Sequence, residues 1–172
     1  MTRSIMTVLC ALTLLTACGG AWAQTDKGGL VFMGTAAFST TSGEGSVTVF
    51  NLSPRAHYFV ADQIGIGGRL SFNSASSGGA TFTDVLFGPD GLYFFKTSSD
   101  ELLPFAGLGL FLSHHSNGKS TTGFSFSLHG GLAYLLKEHL SIFPELSLNL
   151  ESRDSNSTTT VMIGVGLAGF LY

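Results

Sequence analysis

Hydrophobic residues alternate with polar residues or glycine along much of the chain after residue 24. The clearest case has Ile64, Ile66, Leu70 and Phe72 on one face, against Gly65, Gly67, Arg69 and Ser71. A period of two places successive side chains on opposite faces of a β-strand. The pattern therefore predicts strands, each with one apolar face.

A second regularity is a repeated hairpin in which a strand ends in tyrosine, a short polar turn follows, and an apolar strand returns. The tyrosines of these units are Tyr58, Tyr93, Tyr134 and Tyr172, spaced about 35–41 residues apart. Four tyrosines at equivalent positions predict an aromatic rim at one end of the fold.

The alternation and the repeat together predict eight strands. We place them at residues 29–40, 46–60, 64–73, 80–95, 102–113, 122–136, 140–150 and 158–172. About 9–11 tilted residues are enough for a strand to cross a bilayer. The predicted fold is all-β: an eight-stranded antiparallel transmembrane up-and-down β-barrel, whose closure removes the unpaired edges that lipid cannot solvate. Because the turns at the tyrosine end are short on average, this rim is expected to be periplasmic.

Composition favours a membrane barrel over a soluble, secreted β-sandwich. Charged residues make up 11% of the chain, against about 25% in soluble domains. No segment after residue 24 reaches the 18 or more continuous apolar residues of a transmembrane helix. The apolar character is instead spread over many short strands.

The first 23 residues read as a signal peptide, which leaves residues 24–172 as the barrel domain. Arg3 precedes an apolar core, and Ala21-Trp22-Ala23 has the small-residue pattern of a cleavage site. The run Leu15-Thr16-Ala17-Cys18 is an alternative, because it is similar to a lipoprotein cleavage box with lipidation at Cys18.

Cleavage after Ala23 would remove Arg3 and leave seven basic against eleven acidic residues, a formal charge of −4. This charge argues against a nucleic-acid partner.

Three stretches carry a family resemblance: residues 53–67, residues 103–109 and the aromatic C-terminus. They resemble the small outer-membrane β-barrel family (OmpA/OmpX-like outer membrane protein β-barrel domain). We expect contact with outer-membrane lipid, a monomeric state and recognition of the C-terminal strand by the barrel-assembly machinery. The resemblance itself implies an outer-membrane location and an eight-stranded antiparallel barrel. It implies no single function, because the fold hosts structural, adhesive and enzymatic members.

When the tyrosines are placed outward, strand parity directs a set of polar side chains, including His57 and Asp84, into the lumen. Five of them lie about the same distance above the tyrosine rim and are predicted to form a mid-barrel charge layer: Arg55, Arg69, Asp90, His129 and Glu145. An eight-stranded barrel is only just wide enough for side chains to fill, and a buried charge without a partner is costly. The layer is therefore interpreted as an internal plug of paired charges, not as a pore or a catalytic site.

The run His114-His115-Ser116-Asn117 is predicted to lie in the loop after the fifth strand. It is similar to the catalytic stretch of outer-membrane lipid A deacylases, which use Ser, His and Glu. The run lies too early in the chain for that family, and residues 121–133 contain no carboxylate. We expect a non-enzymatic protein with no cofactor or metal; a lipid A-modifying enzyme and a narrow solute channel remain the alternatives.

Two features do not fit the strand pattern cleanly. Four prolines fall inside strands with outward parity: Pro54, Pro89, Pro104 and Pro144. Each lacks the N–H group that a ladder needs. In the last strand, placing Phe170 and Tyr172 outward turns residues 163, 165 and 167 inward, and a β-bulge near Gly169 would correct this.

Overall fold

The computed structural model describes residues 25–41, 47–77, 80–99, 101–116, 120–153 and 156–172. The predicted signal peptide, residues 1–23, lies outside the described residues. The strands are β1 Leu30–Thr41, β2 Val47–Ala61, β3 Ile64–Ser77, β4 Ala80–Phe94, β5 Leu102–Ser116, β6 Ser120–Lys137, β7 Leu140–Arg153 and β8 Asn156–Leu171. Within the described ranges, no helix is long and apolar enough to cross a membrane.

The eight strands form a closed barrel in which each strand is antiparallel to the next and β8 pairs with β1. The predicted fold class is confirmed. The pairing of β1 with β8, which closes the barrel, runs from Leu30 opposite Leu171 to Ala36 opposite Val165. Closure satisfies the backbone hydrogen-bonding groups of the two terminal strands, as a lipid environment requires.

The strands are longer than predicted at the end away from the tyrosines. β3 continues to Ser77 and β5 to Ser116, beyond the predicted ends at residues 73 and 113. The added residues, 74–77 and 114–116, are serines, histidines and one alanine, and they read as loop residues in the sequence. Here they continue ladders already started by the apolar parts of the strands, so the hairpin connections at this end are short.

The tyrosines lie together at one end of the barrel, called here the tyrosine rim. The cross-strand pairs Leu30–Tyr58, Ile64–Tyr93 and Leu102–Tyr134 bring neighbouring strands to the same level. All four tyrosine side chains are exposed on the outside or at the end of the wall. Amphipathic aromatic rings of this kind are typical of a membrane–water interface.

The expected outward position of Phe170 is wrong. Phe170 is fully buried and points into the lumen, whereas Leu167 and Leu171 are exposed on the outer face. The pairing of β8 with β7 and with β1 continues without a register shift, so no β-bulge at Gly169 is present. Tyr172 lies after the end of β8, so the inward–outward alternation of the strand does not determine the direction of its side chain.

The prolines are accommodated by interruptions in the ladders. Pairing between β2 and β3 skips Pro54, pairing between β4 and β5 skips Pro89, and pairing between β6 and β7 skips Pro144. Each of these prolines stays in register with its other neighbouring strand. They are exposed on the outer face, whereas Pro104 is buried. Proline has no backbone N–H group to donate to a neighbouring strand. It is therefore tolerated where one side of its strand can remain unpaired.

The half of the lumen nearest the tyrosine rim is filled by an aromatic plug. Its rings are those of Phe59, Phe94, Phe105, Phe143 and Phe170, each at most 3% exposed. Phe94 is central, with ring centroids 5.7 Å from Phe105, 5.8 Å from Phe59 and 6.0 Å from Phe170. Tilted and edge-on contacts at these separations are favourable. The plug is an apolar core inside a barrel whose outer face is also apolar.

Replacement of Phe94 by alanine is expected to lower the free energy of unfolding by about 3–5 kcal/mol, because it leaves a cavity among buried rings. The matched control is Phe124→Ala, at a side chain that is 72% exposed on the outer face. Lipid or detergent fills the space left by Phe124, so its loss should be smaller. Urea unfolding in lipid vesicles measures both; equal losses would show that the lumen is not packed around Phe94.

Candidate functional site

The structure brings the five predicted lumen residues together in one layer directly above the aromatic plug. The layer comprises Arg55 on β2, Arg69 on β3, Asp90 on β4, His129 on β6 and Glu145 on β7, each between 2% and 8% exposed. Arg55 and Arg69 are opposite one another across the β2–β3 ladder. Strand alternation places all five side chains inward.

Arg55 connects the charge layer to the plug below it. Its Nη2 atom donates a hydrogen bond to Glu145 Oε2 on the opposite wall. Its guanidinium carbon also lies 5.4 Å from the centre of the Phe143 ring and 5.6 Å from that of Phe105. A desolvated guanidinium gains both from a carboxylate partner and from aromatic faces.

Arg69 and Asp90 form the second charged pair. Arg69 Nη2 lies 3.2 Å from each carboxylate oxygen of Asp90. It also lies 2.8 Å from His129 Nδ1, and its guanidinium carbon is 5.3 Å from the centre of the Phe111 ring. His57, whose side chain is fully buried, completes the group with Nε2 at 3.0 Å from Asp90 Oδ2.

The layer is electrically balanced. Two arginines face two carboxylates, so the formal charge is zero with both histidines neutral. Removing one member would leave a charge without its partner in a space enclosed by protein and lipid. Such a loss costs several kcal/mol, although replacing the whole pair by apolar groups is often tolerated.

Two inward glycines on β5 provide the space that the layer occupies. A Cβ at Gly107 would lie 2.3 Å from His129 Nε2, and one at Gly109 would lie 2.6 Å from Asp90 Oδ1. Real Cβ atoms do not approach other atoms so closely. Glycine on β5 is therefore a condition for bringing Asp90 and His129 to the centre of the lumen.

Above the layer, a vestibule of about 270 Å³ extends toward the end opposite the tyrosine rim. Arg69 and Glu145 form its floor, and its walls carry amide and hydroxyl side chains beside apolar ones such as Val49, Leu86 and Met162. Asn51 donates hydrogen bonds to Asn73 and, at 3.5 Å, to Ser71 Oγ. From the tyrosine rim upward, the lumen thus changes from aromatic to charged to polar.

The predicted loop position of the histidine run is wrong. His114, His115 and Ser116 lie in β5, and Asn117 is outside the described residues. His115 is only partly exposed and its Nδ1 lies 2.5 Å from Asp84 Oδ1 on β4, whereas His114 is exposed. In the part of the chain that the structure describes, no group of three or more His, Cys, Asp or Glu side chains could hold a metal ion.

Sequence reasoning missed three parts of this arrangement. It placed His57 inward but did not include it in the layer, and it did not assign the aromatic plug. His57 follows from strand parity, since it is two residues from Arg55, and so do Phe59 and Phe94, which directly follow the outward Tyr58 and Tyr93. Phe170 does not, because it has the same parity as Tyr172. The Asp84–His115 pair needed the β4–β5 register, which places these residues opposite one another.

The sequence profile of the outer membrane protein beta-barrel domain family matches residues 7–168. The chain belongs to this family. Membership implies the bacterial outer membrane as the location. No curated protein matches the chain.

Several solved structures have the same barrel fold. Neisserial surface protein A is 17% identical, with a TM-score of 0.61 over 83% of this chain and 97% of that one. The N-terminal β-barrel domain of Pseudomonas aeruginosa OprF is 16% identical, with a TM-score of 0.55 over 84% and 98%. P. aeruginosa OprG is 13% identical, with a TM-score of 0.52 over 86% and 97%. At these identities the likeness concerns the barrel fold alone.

The Arg55–Glu145 pair gives a direct test of charge balance in this family member. Arg55→Met alone leaves Glu145 without its partner and should cost about 3–5 kcal/mol of unfolding free energy. The double variant Arg55→Met/Glu145→Leu should recover most of that loss, because it removes both charges. The exposed Lys137→Met serves as the control, and urea unfolding in lipid vesicles is the measurement. Additive losses in the double variant would contradict the pairing.

Proposed function

We propose that this protein is a closed, non-conducting outer-membrane barrel with a structural or surface-interaction role in the cell envelope. The observation that carries the proposal is the filled lumen. Five buried phenylalanines and a neutral layer of paired charges occupy successive levels of the same interior. An ion crossing this interior would have to displace both, because eight strands enclose little more space than the side chains fill.

The proposed orientation puts the tyrosine rim on the periplasmic side and the vestibule toward the cell exterior. Short turns are typical of the periplasmic end of bacterial barrels. Two of the three connections at the tyrosine rim, 62–63 and 138–139, have two residues, but the third spans residues 95–101, and the connections at the other end have two to five residues. Connection length therefore does not distinguish the two ends, and the orientation stays a prediction. The chain leading into β1 is fixed to the turn at 62–63, since Gln63 N donates to Thr25 O at 2.7 Å and Lys27 N to Asp62 Oδ1 at 3.1 Å.

The mature chain in this proposal begins at Gln24, after removal of a signal peptide, and functions as a monomer. The intact mass of protein purified from outer membranes distinguishes this start from a chain lipidated at Cys18. A mass that requires Cys18 and attached acyl groups would contradict cleavage after Ala23. Recognition of β8 by the barrel-assembly machinery stays a prediction from the family resemblance.

Purified protein in planar lipid bilayers is expected to give no unitary current steps, even at high protein load. A conducting porin added to the same bilayers shows that inserted barrels would be detected. Folded protein from the same preparation, identified by its heat-dependent gel mobility, excludes an insertion failure. Reproducible current steps from the wild-type protein would contradict a sealed lumen and favour a narrow solute channel.

Lipid A from cells with and without the protein should have the same acyl composition. The prediction follows from the position of His115, which faces the lumen beside Asp84, and of Ser116 at the end of β5. Mass spectrometry of extracted lipid A is the measurement. An acyl chain lost only in cells that carry the protein would contradict a non-enzymatic role.

A further inference from the structure

The vestibule is a blind cavity whose chemistry differs from the rest of the lumen. It is closed on the side of the tyrosine rim by Arg69 and Glu145, and beneath them by the aromatic plug. Its volume of about 270 Å³ is slightly below the range of about 300–1,000 Å³ typical of drug-sized ligands. The space is therefore suited to a molecule of a few ring atoms and their substituents.

The walls offer both hydrogen-bond donors and acceptors at many heights. They include Asn51, Asn73, Asn149, Ser71, Ser125 and Ser147. Each amide group both donates and accepts, and each hydroxyl does the same. A ligand that matches such walls also needs groups able to donate and accept at several positions, which is the property of a polyhydroxylated molecule.

The charged groups around the vestibule are already engaged. Arg69 is paired with Asp90, Glu145 with Arg55, and Asp84 with His115. Glu151 also has an interaction partner. An ionic ligand would therefore compete with existing pairs instead of neutralising a free charge, and this favours a neutral ligand.

Two lining residues carry buried polar atoms with no partner in the described chain. Ser125 is 3% exposed, and neither its Oγ atom nor Nε of Arg69 makes a hydrogen bond within the described residues. Both residues line the vestibule, together with the ring of Phe111. Each of these atoms has less than 1 Å² of accessible surface, so a ligand in the vestibule would contact the surrounding amide and hydroxyl groups and not these two atoms.

We propose that the vestibule is a binding site for a small neutral polyhydroxylated molecule of monosaccharide size. Binding uses the amide and hydroxyl walls and leaves the charge layer intact. The site is independent of conductance, since the ligand enters and leaves by the same end. Affinity is expected in the millimolar range, because a cavity of this size limits the number of contacts.

The side-chain amides of asparagine report on the site directly. Three of the chain's five asparagines, Asn51, Asn73 and Asn149, line the vestibule. In nuclear magnetic resonance spectra of the protein in lipid nanodiscs, titration with D-glucose, D-galactose or myo-inositol should shift the three vestibule amides saturably. The side-chain amide of Gln63, in the turn between β2 and β3 at the tyrosine rim, serves as the internal control and should not move.

A filling variant tests the location. Gly164 lines the vestibule, and a Cβ added there would have one neighbour within 4 Å, the Cβ of Thr35 at 3.8 Å. The variant Gly164→Leu therefore places its side chain into the vestibule without a clash between its Cβ and the backbone. It should weaken binding at least tenfold, and Gly164→Ala should bind nearly as the wild type does. A normal strand-amide spectrum of the Leu variant shows that it has folded.

The charged analogues glucosamine and glucuronate decide the ligand class. Weaker binding of both than of glucose supports the proposal. Tighter binding of either analogue overturns it, as does the absence of saturable shifts with every neutral sugar up to 100 mM. Neither result would bear on the proposed absence of conductance, which the bilayer recordings test separately.

Discussion

The pairing of charges inside the lumen is the constraint on which the rest of the structure depends. A barrel of eight strands in lipid has no bulk water to solvate an arginine or a carboxylate at mid-height. Arg55 and Arg69 can be there only because Glu145 and Asp90 reach them from other strands. The register of five strands, and the glycines that clear the space on β5, must be correct together for that to happen.

The charge layer also divides the lumen into two different environments. Toward the tyrosine rim the interior is a packed aromatic core, which Arg55 contacts through Phe105 and Phe143. On the other side the interior is a polar vestibule floored by Arg69 and Glu145. In the proposed function the plug prevents passage across the membrane, and in the proposed binding site the vestibule holds a ligand at one end.

Much of this architecture can be predicted from the sequence, because strand alternation is fixed by backbone geometry. Once the tyrosines are placed outward, parity alone turns Arg55, Asp90 and His129 inward. The tyrosine repeat then gives each residue a height in the barrel. The five layer residues could therefore be identified without coordinates, although their individual contacts could not.

The remaining features depend on tertiary information. Tyr172 looks like the outward tyrosine of another hairpin, but it lies past the end of β8 and does not share the alternation. His115 reads as a loop residue until the β4–β5 register places it beside Asp84. The prolines conflict with local strand rules, and the conflict is resolved by interruptions on one side of each strand. The positions of these residues are determined by strand pairing and barrel closure. Neither can be recognised from the residues next to them in the sequence.

Accessibility along one strand tests the division of the lumen most directly. Ser141 and Asn149 both face inward on β7, below and above Glu145, and a chain that begins at Gln24 contains no cysteine. Ser141→Cys and Asn149→Cys variants in lipid vesicles can be treated with a small charged thiol reagent. The cysteine at position 149 is expected to be modified rapidly, and the cysteine at position 141 only after the protein is unfolded. Equal modification at both positions would show that water fills the whole lumen and would contradict the sealed interior.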